Sequence, residues 1–182
     1  MPTSRAWRVA VALISGALAI GCGSAPAPAA IDLVAALPTA ERRALHDPDA
    51  AIRADFVPVG TDHLEALITD APARVIFPVR FVSRARFRAR VALQPGSAGA
   101  TVRAGIADDR AYDELLRLPL VPASGAAIAW QPIDIDLDAY SGWKFSLFYQ
   151  PGRRNWKLVL NADATPGGTV VWLQPTIDMR QD

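Results

Sequence analysis

The chain has 182 residues, 51% of them hydrophobic, with 19 Lys and Arg against 18 Asp and Glu, a formal charge of +1, and a single cysteine. The length suits one domain with a real core. The near-neutral balance offers no basic excess for nucleic acid, and one cysteine allows neither an internal disulfide nor a cysteine-built zinc site.

Residues 1–8 carry Arg5 and Arg8 and no acid, and residues 9–20 are almost wholly apolar. A membrane-spanning helix needs about 20 apolar residues, whereas a secretory h-region needs about 7 to 15. The pattern therefore predicts a signal peptide over residues 1–21. Small residues, Ala19-Ile20-Gly21, precede Cys22. This stretch resembles the bacterial lipobox, with Ala19 in the slot where leucine is usual. The resemblance implies cleavage before Cys22 and a diacylglycerol on its thiol. Gly23, rather than aspartate, follows, which in Gram-negative lipoproteins implies passage to the outer membrane. Removal of Arg5 and Arg8 turns the charge of +1 into about −1, which leaves no polybasic membrane patch. Each buried CH₂ of an acyl chain is worth about 0.8 kcal/mol, so more than one chain holds a small domain firmly. Residues 22–30 are the predicted lipidated cysteine and Ala/Pro tether. Pro26 and Pro28 favour extended polyproline at about 3.1 Å per residue.

Residues 31–51 read as a lead-in, in which Asp32 caps a turn that Pro38 ends. From Ile52 the pattern changes to strands, and residues 52–182 are predicted as one β-sandwich. Strands are predicted at 52–57, 73–81, 83–93, 101–107, 111–118, 126–131, 132–138, 143–149, 156–161 and 169–173. The clearest is 83–93: Ala85, Phe87, Ala89, Val91 and Leu93 share one face, and Arg84, Arg86, Arg88 and Arg90 the other. Period two marks a half-buried strand. Ile133, Ile135 and Leu137 alternate with Asp134, Asp136 and Asp138 in the same way. The 111–118 run also fits a helical turn. Turn signals at Gln94-Pro95-Gly96-Ser97, 138–142, 150–152 and 165–168 separate the runs. Many short strands at this spacing predict an all-β, antiparallel sandwich or barrel.

Asp136, Leu137, Tyr140 and Gly142, followed by an alternating strand, and Trp172 with Pro175 near the end resemble the C-terminal half of galactose-binding-like jelly-roll modules. The likeness spans residues 52–177. It implies a jelly-roll β-sandwich and a carbohydrate-binding role, such as occurs in bacterial lipoproteins. Leu173-Gln174 stand where many members have Gly and then Asn or Asp. No ligand-binding residue of the family has a matching motif to carry over.

The Asp134–Asp138 carboxylates are spaced like a glycosidase pair, about 7 Å apart, but they lie on an outward face. Solvated cross-strand pairing with the arginine stripe accounts for both. The same aspartates lack the Gly and Glu of a helix-loop calcium site, and a sandwich-edge calcium stays open because carbonyl ligands do not show in sequence. His46 and His63 have no cysteine partners, no Gly-x-Ser-x-Gly elbow accompanies them, and both read as surface residues. No catalytic residue and no metal ligand is therefore assigned.

Trp130, Trp143, Trp156 and Trp172 fall in phase with apolar neighbours and read as core. Phe148, in phase with Lys144 and Ser146, is expected to face out. Arg153, Arg154 and Asn155 crowd one hairpin tip and suit hydroxyl or carboxylate recognition. These four are the candidate ligand contacts. The expected function is a non-catalytic glycan-binding module on an outer-membrane lipoprotein. The alternative is a docking partner of another envelope protein, without a carbohydrate ligand. An enzyme comes third.

Overall fold

The structure, a computed structural model, describes residues 30–81, 84–123, 128–140, 155–164 and 167–180. The strands expected at 143–149, and Cys22, Phe148, Arg153 and Arg154, lie outside those residues.

Eleven strands are described: β1 Ala30–Asp32, β2 Glu41–Ala44, β3 Ile52–Val59, β4 Asp62–Asp70, β5 Ala73–Val79, β6 Arg84–Leu93, β7 Ala100–Ala107, β8 Tyr112–Leu120, β9 Gln131–Asp136, β10 Trp156–Asp163 and β11 Thr169–Arg180. One short helix, α1 at Pro48–Ala51, is capped by Asp47, whose carboxylate accepts from the Asp49 and Ala50 amides. Two antiparallel sheets face each other. The first runs β3-β4-β11-β6-β9, with β1 also on β11; the second runs β2-β5-β10-β7-β8.

The alternating runs fold as their period dictates. Ala85, Phe87, Ala89 and Val91 of β6 are buried between the sheets, while its arginines point outward. Fully buried Phe77, Phe87, Leu158, Leu160, Trp172 and Ile177 fill the interior from both sheets, each worth about 1.5–3 kcal/mol of burial. The Trp172 indole donates Nε1–H to Thr69 Oγ1 at 3.1 Å, so the one polar atom of that ring is satisfied. The 111–118 run is strand β8, bulged opposite Ala104 and Gly105.

The lead-in takes part in the sandwich. Asp32 Oδ1 accepts from the Val34 amide at 2.8 Å, as its capping role requires, yet Pro38 stands inside a 3-10 turn, Leu37–Thr39, rather than ending one. Leu33, Val34 and Leu37 are buried in the core. β1 pairs with β11 and β2 with β5, so this segment contributes to each sheet.

Three strand expectations change. Residues 128–130 are not strand; the strand runs from Gln131 to Asp136, so it takes in the expected 132–138 run only as far as Asp136, and Asp138 opens a 3-10 turn, Asp138–Tyr140. β11 continues past Leu173 to Arg180, interrupted by a bulge between Leu173 and Thr176. Gln174 in that bulge has φ 49°, a left-handed conformation that costs a side-chain-bearing residue about 1 kcal/mol or more. The Trp-x-x-Pro spacing is thus the sequence of a bulge: Pro175 leaves its carbonyl to the Leu33 amide at 2.9 Å. β4 was not foreseen at all. Its Ala66-Leu67-Ile68-Thr69 run is buried at every position, so it lacks the alternation of a half-exposed strand.

Turn chemistry behaves as read at residues 94–97. Ser97 donates its amide to the Gln94 carbonyl at 3.1 Å, Pro95 takes the second position, and Gly96 takes φ 81° at the third. This is the type II arrangement, which calls for glycine there.

Candidate functional site

Residues paired across neighbouring strands share a face, so the outer face of the first sheet is built directly from its register. One row reads Arg53 (β3), Ile68 (β4), Val171 (β11) and Ala92 (β6); the next reads Asp55, Ala66, Leu173, Arg90 and, on β9, Pro132. Further along β11 the rows turn ionic: Thr176, Arg88 and Asp134, then Asp178, Arg86 and Asp136. The face is therefore apolar at one end and salt-bridged at the other.

At the ionic end, Arg86 Nε lies 2.9 Å from Asp134, Arg88 Nε lies 3.6 Å from Asp134, and Arg88 also reaches Asp178 at 2.9 Å. Asp138 lies 4.0 Å from Arg84 and accepts the Ala85 amide at 3.1 Å. Asp136 accepts the Asp138 amide at 2.7 Å. The two opposite-signed stripes predicted from sequence thus lie on adjacent strands, and Arg84, Arg86 and Arg88 each meet an aspartate. Such exposed pairs contribute about 0.2–1 kcal/mol each and leave the carboxylates engaged. His46 and His63 are exposed.

At the apolar end, Ala66, Ile68, Val171 and Leu173 form a second, smaller cluster outside the main core, against which Val57, Val59, Leu64 and Trp130 pack. Two hollows open on this face. The first, ≈ 720 Å³, is bounded by Arg53, Asp55, Phe56, Val57, Gln94 and Trp130, among others. The second, ≈ 610 Å³, is bounded by Glu65, Arg88, Arg90, Pro132, Asp134 and Gln174, among others. Both fall within the size range of small-ligand clefts, about 300–1,000 Å³. Between them stands a pair: the Arg90 guanidinium lies over the Trp130 ring, 5.9 Å from its centroid. Asp55 accepts the Phe56 amide at 2.8 Å. Ring faces next to guanidinium, carboxylate and amide groups are what sugars require, since pyranose C–H faces stack on aromatics while hydroxyls need planar polar partners.

The tryptophans expected in the core divide three ways among the described residues. Trp172 is fully buried. Trp156 is half-buried at one end of the sandwich and meets Tyr140 edge-on at 5.3 Å. Trp130 belongs to the outer face, a correction to the core reading. With β9 starting at Gln131, Trp130 is in phase with Pro132 and Asp134, not with Ile133. That alternation was visible in the sequence once the strand boundary is placed correctly. Trp143 lies outside the described residues. Asn155 is exposed immediately ahead of β10, in the second sheet, and does not border either hollow.

The fold defines the class as far as architecture goes: an antiparallel jelly-roll β-sandwich with a decorated outer sheet face. No family model matches the chain, and no curated protein matches it. Solved structures do. The K1 cleaved adhesin domain of Lys-gingipain from Porphyromonas gingivalis W83 superposes with a TM-score of 0.56 at 8% identity, covering 84% of this chain and 98% of that one. TmCBM61, solved in complex with beta-1,4-galactotriose, gives a TM-score of 0.52 at 9% identity, covering 82% of this chain and 94% of that one. The CBM22-1 xylan-binding domain of Paenibacillus barcinonensis Xyn10C aligns over 79% of this chain and 86% of its own, at 14% identity and a TM-score of 0.47. At such identities the first two likenesses show a shared fold and nothing more.

Proposed function

We propose that the chain is a non-catalytic glycan-binding module, tethered to the outer membrane of a cell envelope through lipid on Cys22. One observation carries the binding reading: Trp130, with Arg90 on its ring, stands between two hollows that expose Asp55, Gln94 and Gln174 on the outer face of the first sheet. The solved neighbour TmCBM61, in complex with beta-1,4-galactotriose, supports the reading by analogy of fold. The lipobox-like segment supports the anchor. Phe148, Arg153, Arg154 and Asn155 are kept as proposed secondary contacts.

The test is a glycan array probed with the mature chain in detergent. Retention of at least one glycan, lost in Trp130→Ala while the thermal midpoint stays within a few degrees, is the expected result. A second reading has its own observation: Phe56 is 65% exposed on edge strand β3, a place where another envelope protein would dock. No retained glycan, together with one envelope protein that co-purifies with the wild type and is lost in Phe56→Ser, would favour docking.

A further inference from the structure

The arginines of β6 are not equivalent. Arg84, Arg86 and Arg88 each lie within 4.0 Å of an aspartate. Arg90 makes no ion pair among the described residues, and the register gives the reason. Arg86 stands between Asp136 and Asp178, and Arg88 between Asp134 and Thr176, whereas Arg90 stands between Pro132 and Leu173. The aspartate rhythm of β9 breaks at Pro132, directly opposite Arg90. Its guanidinium is instead held over Trp130 and borders the second hollow.

We infer that the glycan bound on this face is acidic, a uronate-bearing oligosaccharide whose carboxylate is taken by Arg90 while its sugar ring lies against Trp130; this rests on the glycan-binding reading above. An arginine fork matches a carboxylate with two parallel hydrogen bonds, which a hydroxyl cannot supply. The acids around the hollow do not oppose the assignment equally. Asp134 is neutralised by Arg86 and Arg88, and Asp32 accepts backbone amides of its own turn. Asp55 lies three strands away in the same row, roughly 14 Å by strand spacing. Glu65 remains across the hollow, where it suits a sugar hydroxyl and sets the ligand's orientation, carboxylate toward Arg90.

The experiment uses an array that carries neutral, uronate-bearing and amino-sugar oligosaccharides, probed with the wild-type mature chain, Arg90→Gln and Arg90→Lys. The expected result is retention of uronate glycans. Arg90→Gln then weakens them by about tenfold or more, the scale of a lost charge-assisted pair. Arg90→Lys restores part of the affinity, and raised salt lowers it. Retention of neutral or amino-sugar glycans alone, or uronate binding untouched by Arg90→Gln, overturns the acidic assignment and leaves the module reading standing. No retained glycan of any class overturns both. Circular dichroism of each variant confirms that the sandwich is intact.

Discussion

Tyr140 closes one end of the sandwich. Its hydroxyl donates to Asp113 of β8 while its ring meets Trp156 of β10, so a residue following β9 in the first sheet is fastened to two strands of the second. Burial first, and then the hydrogen bond to Asp113 and the nearby negative charge, push its phenol up to about 12. A tyrosine raised above its unfolded value of about 10 favours the neutral form in the fold. The resulting stability is complete below pH about 10 and fades as pH climbs toward about 12. Ultraviolet titration of the folded chain should show a phenolate step near there, absent in Tyr140→Phe. An identical titration curve for that variant would rule the latch out. Tyr140 was singled out in the sequence through its place after Asp136-Leu137, but its partners were not legible. Asp113 is 27 positions away, and only the stacking of the two sheets brings them together. Trp130 shows the opposite case. Its outward phase was written in the sequence, and a misplaced strand boundary hid it, because Ile128 and Trp130 also make an apolar alternation on their own.

At the scale of elements, the edge pair β7–β8 depends on a glycine. A Cβ at Gly105 would sit 2.7 and 2.8 Å from ring atoms of Tyr112 and would also strike the Asp113 carbonyl. Gly105→Ala should therefore destabilise the domain by about 1–3 kcal/mol, read as a lower urea midpoint. Truncating Tyr112 as well should not restore it, since the carbonyl is backbone; full rescue by Gly105→Ala/Tyr112→Ala would show that the ring alone sets the constraint. The elements that were legible are those with one wet face. β6 and β9 alternate because one side meets the core and the other meets counter-charges. β4 was not legible because its Ala66 and Ile68 are covered on the outer face by the smaller apolar cluster while Leu67 and Thr69 face the main core. A strand buried on both sides writes a continuous apolar run. β1 and β2 are three and four residues long, too short for any period to show.

The whole molecule divides its first-sheet face between an ionic end and an apolar end, and the chain's course relates that division to the proposed anchor. Ala30 pairs with Asp178, beside Arg86 and Asp136, so the proposed tether would join the sandwich at the ionic end. Trp130 precedes β9 at the other end of that strand. The proposed tether over residues 22–30 would reach roughly 28 Å if fully extended at about 3.1 Å per residue. Detergent phase partitioning checks the anchor. The wild-type chain should enter the detergent phase, Cys22→Ser should stay in the aqueous phase, and equal partitioning of the two would contradict lipidation. Among the described residues no helix is long and apolar enough to cross a membrane. Glycan binding is proposed at the sheet face that carries Trp130, and the indole N–H resonances of the tryptophans report on that face directly. During titration with a glycan retained on the array, the Trp130 indole signal should move while that of Trp172, sealed in the core, stays fixed. Movement confined to Trp156, or no movement of any indole, would contradict the assignment of this face.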